Sequence, residues 1–288
     1  MLNFRLVAFD SFGVRSMATV VETKDVKVFI DPSVALAPRR YGLPPHDKEF
    51  ERMEELAREI EKEALDSDVI VVTHYHYDHF DLGHKVSLSI YEGKDVLIKH
   101  PRENINRSQR VERAPLFLKS IESLPKRIEF ADGREFRYGS TVIRFSQAVP
   151  HGTNTRLGYV LEVLIESEGE RFLFSSDVEG PSLEEQVDFI LRADPHIAVV
   201  DGPMTYMLGF RYSRKSLEES LKNLNRILDL PSLELLIIDH HLCREIQFRE
   251  RVLPISERFK TAAEASGKSN DLLEARRREL YGRWVDGS

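Results

Sequence analysis

The stretch Val69-Ile70-Val71-Val72-Thr73-His74-Tyr75-His76-Tyr77-Asp78-His79 decides how the rest of the chain is read. Val69–Thr73 is an unbroken run of β-formers, of the length and character of a strand buried on both faces. The six residues after it hold four potential metal ligands. His74 and His76 lie two apart, so an extended backbone turns both rings to the same side. Asp78 and His79 follow where the chain must turn. Neutral imidazoles beside a carboxylate suit zinc, and also manganese or iron. The chain has only 10 histidines, and three of them are here, which argues against a merely histidine-rich surface loop.

Outward from this point, strands alternate with helices. Before it, Phe4–Phe9, Ala18–Glu22 and Val26–Ile30 read as strands, and Asp47–Leu65 as an amphipathic helix with Phe50, Met53, Ala57, Ile60 and Ala64 on one face. After it, Val96–Lys99, Ile128–Phe130, Arg134–Tyr138, Thr141–Ala148, Gly158–Ile165 and Arg171–Ser175 read as strands. Leu183–Leu191 and Leu217–Leu228 read as helices, each followed by a buried-type strand, Ile197–Val200 and Leu235–Ile238. Asp271–Tyr281 reads as a last helix, within a charged helical tail around 256–288. No linker divides the chain, so residues 1–288 read as one domain. Strands paired locally and then interleaved with helices imply two sheets covered by helices on the outside.

At 288 residues, 41% hydrophobic, the chain can build a sizeable core, which excludes global disorder. A net charge of -7 argues against a surface that coats nucleic acid. One cysteine, Cys243, excludes a disulfide framework and points to the reducing cytoplasm. The amino terminus does not read as a signal peptide, and no run reaches the roughly 20 apolar residues that span a membrane. The segment 94–127 departs from the acidic average, with nine Lys/Arg against four Asp/Glu. It reads as a basic insertion in which Arg102, Arg107 and Arg110 could clamp an anionic substrate through their guanidinium forks.

The His-x-His-x-Asp-His pattern after an apolar strand resembles the signature of the metallo-β-lactamase superfamily. Four further features of that superfamily recur in order: Asp31 closing Val28-Phe29-Ile30, His151 after Val149-Pro150, Asp177 after Phe174-Ser175-Ser176, and Asp239-His240-His241 after Leu236-Ile237-Ile238. Ser11-Phe12-Gly13-Val14-Arg15-Ser16 and the double histidine are similar to an archaeal branch of uncharacterised, predicted metal-dependent hydrolases. The resemblance implies an α/β fold, a four-layer αββα sandwich of two mixed sheets flanked by helices. It also implies two divalent ions about 3.5 Å apart. His74, His76 and His151 would hold one, and Asp78, His79 and His240 the other. Asp177 would bridge them from one side and a hydroxide, the attacking nucleophile, from the other.

The last ligand has two candidates. The superfamily pattern places a small polar residue at the end of the strand and the ligand one residue later. That assigns the polar slot to Asp239 and the metal to His240, and leaves His241 free to meet substrate or to protonate a leaving group. Asp31, with Asp81 and Asp239 as further candidates, would orient ligand imidazoles. Asp177 stands where zinc β-lactamases of the main antibiotic-hydrolysing group have cysteine, which favours hydrolase and phosphodiesterase branches. His76 stands where flavodiiron oxidoreductases have glutamate, which argues against redox chemistry. The resulting expectation is a hydrolase of esters or phosphoesters acting on a small anionic or phosphorylated substrate. A nuclease acting on RNA or DNA and a non-enzymatic metal-binding protein are the alternatives. Tyr75 and Tyr77 are expected on the face opposite the ligands, Asp201 could line the pocket, and Met204, Tyr206, Met207 and Phe210 could form a pocket wall or a dimer contact.

Overall fold

A computed structural model describes residues 2–282. Three strands open the chain, β1 (Asn3–Phe9), β2 (Met17–Glu22) and β3 (Lys27–Ile30), joined as an antiparallel meander. Helix α1 (Asp47–Leu65) then crosses over to β4 (Val69–Val72), which runs parallel to β3. β5 (Asp95–Ile98) and β6 (Arg127–Phe130) continue in the same direction, completing a six-stranded sheet in sequence order. Between them lie a π-helical turn, Gln109–Arg113, and helix α2 (Ala114–Ile121). The basic segment 94–127 is therefore not an insertion. It contains β5, a helical crossover and the start of β6, because parallel neighbours need a connection of this length.

The second sheet is likewise built from antiparallel pairs first and parallel strands last. β7 (Glu135–Tyr138) and β8 (Thr141–Phe145) form a hairpin, and β9 (Val149–Pro150) pairs with β10 (Tyr159–Val160) in a small separate ribbon. β11 (Val163–Ser167) and β12 (Glu170–Phe174) follow as a second hairpin. The single strand expected over 158–165 is thus two. Helix α3 (Glu184–Ala193), β13 (Ile197–Asp201), helix α4 (Arg214–Leu228) and β14 (Leu235–Asp239) add two parallel strands beside β12. The sheet order is β14-β13-β12-β11-β8-β7.

Period-2 alternation in the second sheet divides the core. Phe172, Phe174, Val199 and Ile237 point between the sheets, where Phe172 meets Phe4 at 5.5 Å between ring centroids. Leu173, Ala198, Val200, Leu236 and Ile238 point outward against Val187 and Ile190 of α3 and Leu224 and Ile227 of α4. On α1 the buried face carries Leu56, Ala57, Ile60 and Ala64, while Phe50 is exposed, so the stripe lies further along than the sequence spacing alone implied. These two mixed sheets with outer helices are the αββα sandwich.

The C-terminal segment differs from a helical tail. Its described part has only single helical turns, such as Ala262–Ala265 and Arg277–Leu280, and 283–288 of the expected tail lie outside the described residues. It is fixed by a buried ion pair instead. Arg277 makes a bidentate contact with Glu49 at 2.7 and 2.8 Å and donates to the Leu43 and Ala37 carbonyls. Breaking such a pair from one side costs about 3–5 kcal/mol.

One buried carboxyl has no comparable support. Glu162, between β10 and β11, is fully buried, and neither carboxyl oxygen has a hydrogen-bond partner among the described residues. Burial, helped by Asp188, raises its pKa well above the ordinary 4.5. Folding therefore favours the protonated form, and stability falls as pH rises from 4.5 toward the folded value. Glu162→Gln is expected to raise stability by about 1–3 kcal/mol at pH 7. That gain should fade below pH 4.5 in thermal melts taken across pH.

Candidate metal centre

The carboxyl ends of the parallel strands point to one place, where open α/β sheets put their ligands. β3 runs into Asp31, β4 into Thr73 and His74 and β12 into Ser175–Asp177, while β13 ends at Asp201 and β14 runs into His240. Asp31, Ser176 and His240 have left-handed backbones, with φ of 53°, 56° and 59°. Each costs about 1–3 kcal/mol and persists only where surrounding contacts hold it. These three turn the chain sharply at the strand ends and set the adjacent side chains inward. His151 enters at the tip of the β9–β10 ribbon, its backbone N–H donating to Gly158.

Seven side chains form two overlapping clusters. One comprises His74, His76, His151 and Asp177, and the other Asp78, His79, Asp177 and His240; within each, one ligand atom per residue lies within 4.8 Å of the others. Asp177 belongs to both. Its Oδ2 faces His74 Nε2 at 3.6 Å and His151 Nε2 at 3.3 Å. Its Oδ1 faces His79 Nε2 at 2.9 Å and His240 Nε2 at 3.3 Å. Burial alone would raise the Asp177 pKa, but His79 and His240 draw it well below the ordinary carboxylate value.

The donor set fits metal ions. His74 Nε2, His79 Nε2 and Asp177 Oδ1 are buried without a hydrogen-bond partner, although buried polar atoms are nearly always paired. All three face the centre of the cluster. Behind the rings, carboxylates fix the tautomers. Asp31 Oδ2 accepts from His79 Nδ1 at 2.8 Å while its two oxygens also accept from the Thr73 amide and hydroxyl. Asp10 Oδ2 accepts from His240 Nδ1 at 2.7 Å. Both arrangements leave the Nε2 lone pair directed inward, the usual support for a metal-ligating histidine.

Of the two histidines closing β14, His240 joins the cluster. His241 points its Nδ1 at Asp201, 2.9 Å from Oδ2, and lines the cavity. Asp201 also accepts from the Glu179 and His241 amides. Burial raises the Asp201 pKa to about 8, and burial with the nearby Arg244 and His240 lowers that of His241 well below 6.5. The other orienting candidates serve the backbone. Asp239 accepts from the Ser11, His240 and Ala262 amides, and Asp81 from those of His84, Lys85 and Val86.

The centre opens onto a cavity of about 450 Å³. Its arginines are not the expected ones. Arg102, Arg107 and Arg110 are exposed and do not line it, because that stretch runs over the surface before α2. Arg15, Arg113, Arg211 and Arg244 line it instead. Tyr75 does pack away from the cavity, its hydroxyl donating to the Lys99 carbonyl, but Tyr77 lines the cavity with the Arg113 guanidinium 4.8 Å from its ring centroid. Met204 and Tyr206 form part of the wall. Sequence reasoning passed over Asp10, Arg113, Arg211 and Arg244, and no local pattern marks them.

The chain belongs to the metallo-beta-lactamase superfamily, whose family model matches residues 13–240. That superfamily consists largely of metal-dependent hydrolases. More narrowly, the chain is 53% identical over 279 residues to a UPF0282 protein of Korarchaeum cryptofilum, covering 94% of this chain and 92% of that protein. It is 47% identical over 282 residues to a UPF0282 protein of Sulfurisphaera tokodaii, with 96% and 91% covered. Among solved structures, the metallo-beta-lactamase fold protein YhfI from Bacillus subtilis aligns with a TM-score of 0.50 at 12% identity, over 83% of this chain and 85% of that one, which shows the shared fold. No helix among the described residues is long and apolar enough to cross a membrane.

Asp31→Asn and Asp10→Asn are each expected to weaken metal affinity by about 10–100-fold. Competition with a chromogenic chelator, read beside a circular dichroism spectrum that stays native, measures this. Unchanged affinity in both would remove the orienting role.

Proposed function

We propose that the protein is a binuclear metal-dependent hydrolase of ester or phosphoester bonds, acting on a small anionic substrate. The observation that supports this most is Asp177, whose two oxygens face two different donor sets. His74, His76 and His151 would hold one ion, Asp78, His79 and His240 the other, with Asp177 shared. Zinc suits imidazole and carboxylate donors, as do manganese and iron. When bound, such ions supply a nucleophile by acidifying water, and positive charge against the oxygen on which negative charge develops.

The protein's own groups have the remaining tasks. Asp78 and Asp177 offset the charge of two cations held close together. Asp201 holds the neutral His241 ring by Nδ1, so that Nε2 would meet the substrate at the cavity as a proton acceptor. Arg113 and Arg211 line the cavity without an ion-pair partner among the described residues, and attract an anion to it.

Cleavage of RNA or DNA is the competing reading. A cavity of about 450 Å³ is sized for a small molecule. That size favours the small substrate. A single buried cysteine, Cys243, suits a cytoplasmic setting.

Loaded in turn with zinc, manganese and iron, the protein should hydrolyse bis-p-nitrophenyl phosphate and leave an RNA oligonucleotide intact. His76→Ala should lose metal and activity together. Asp201→Asn should keep its metal while turnover falls about 100-fold. Full metal content in His76→Ala, or no ester hydrolysed with any ion, contradicts the reading.

A further inference from the structure

We propose that the cavity contains a second, metal-independent anion subsite, formed by Arg15 and Arg244, which takes a phosphate or carboxylate of the substrate remote from the bond attacked. Its place in catalysis rests on the hydrolase reading; the binding itself does not.

The two arginines come from opposite ends of the chain and line the same cavity. Arg15 Nε and one terminal nitrogen, Nη2, bind Glu274 in a fork at 2.6 and 2.7 Å. Arg244, 3% exposed, donates from Nε to Asp10 at 2.8 Å, and its Nη2 lies 3.0 Å from His240 Nε2 and 3.7 Å from Asp78. In both, the remaining terminal nitrogen, Nη1, has no hydrogen-bond partner among the described residues, and Glu274 and Asp10 hold the two side chains by their other atoms. A guanidinium fixed along one edge, with donors left over at a cavity, is arranged to receive an oxyanion.

A third guanidinium, Arg40, lies behind this wall, its Nε buried without a partner and 4.0 Å from Glu274. It rests on the ring of Tyr206, 4.5 Å from the centroid, and Tyr206 lines the cavity beside Arg15. Three arginines thus gather around three carboxylates, Glu274, Asp10 and Asp78. Burial alone would raise the Glu274 pKa, yet Arg15, Arg244 and Arg40 draw it down to about 2. The carboxylates occupy the inner edges of Arg15 and Arg244, and an anion in the cavity can be received by the donors left over.

The subsite also explains why the C-terminal segment folds back over the domain. Arg277 anchors that segment to Glu49, and Glu274, three residues earlier, is thereby set against Arg15. A substrate held here by one anionic group and at the metal centre by another would be a compact dianion rather than a neutral ester.

Calorimetric titration of chelator-treated protein with inorganic phosphate and, separately, with malonate tests the subsite without any turnover. One of the two should bind at one equivalent per chain, and the one that binds tells phosphate from carboxylate. Arg15→Gln should weaken that binding at least tenfold. Because that variant strands Glu274, the double variant Arg15→Gln with Glu274→Gln, which removes both charges together, should show the same loss. Independently of either, a crystal soaked in the bound anion should place it within hydrogen-bond distance of both Nη1 atoms. Binding of neither anion by the wild type, undiminished binding in the folded variants, or an anion located only among the histidines overturns the proposal. Hydrolysis of a simple diester with no anion bound would defeat the subsite alone; anion binding without hydrolysis would defeat the catalytic reading alone.

Discussion

A single carboxylate, Asp177, is the point on which the two halves of the molecule depend. The first sheet supplies His74, His76, Asp78 and His79; the second half supplies His151, His240 and Asp177 itself. Neither half has a complete donor set. The sandwich must therefore hold β4 of one sheet opposite β12 and β14 of the other closely enough that one aspartate reaches both groups of imidazoles. The aromatic contact of Phe4 with Phe172 and the shared inter-sheet core maintain that separation. In a close-packed interior such spacing is not easily adjusted, so the geometry of the cluster inherits its rigidity from the hydrophobic core.

The same logic organises the supporting carboxylates. Asp31 and Asp10 lie beneath His79 and His240, and Asp201 beneath His241. All three are buried and each sits at or just past a strand end. Their placement separates two tasks between adjacent residues of one turn. His240 has its outer nitrogen facing Asp177, whereas His241, one residue on, is rotated toward the open cavity. The left-handed backbone at His240 makes that division possible, since an extended chain would also alternate the rings but would carry the second one away from the pocket.

Much of the centre was legible in the sequence because its signals are local. Apolar strands ending in histidine or aspartate announce both an element and a candidate ligand, and the residues of the cluster within 74–79 and 239–241 lie in unbroken motifs. The arginines were not legible for the opposite reason. Arg102, Arg107 and Arg110 stand close together in the chain, but proximity along a crossover says nothing about which side of a sheet it passes. The cavity draws Arg15, Arg113, Arg211 and Arg244 from four separated segments, each flanked by residues that look ordinary. Asp10 is similar: a lone acid after a strand carries no mark of a partner 230 residues away. The tail misled because its charge suggested a solvated helix, while Arg277 and Glu274 are in fact buried or nearly so through their ion pairs.

The most direct measurement of the central claim is anomalous diffraction from a crystal loaded with zinc or manganese. The account predicts two peaks within one centre, one against each carboxyl oxygen of Asp177, with His74, His76 and His151 around the first and Asp78, His79 and His240 around the second. A single peak, a peak coordinated by His241 in place of His240, or metal bound away from Asp177 would contradict it.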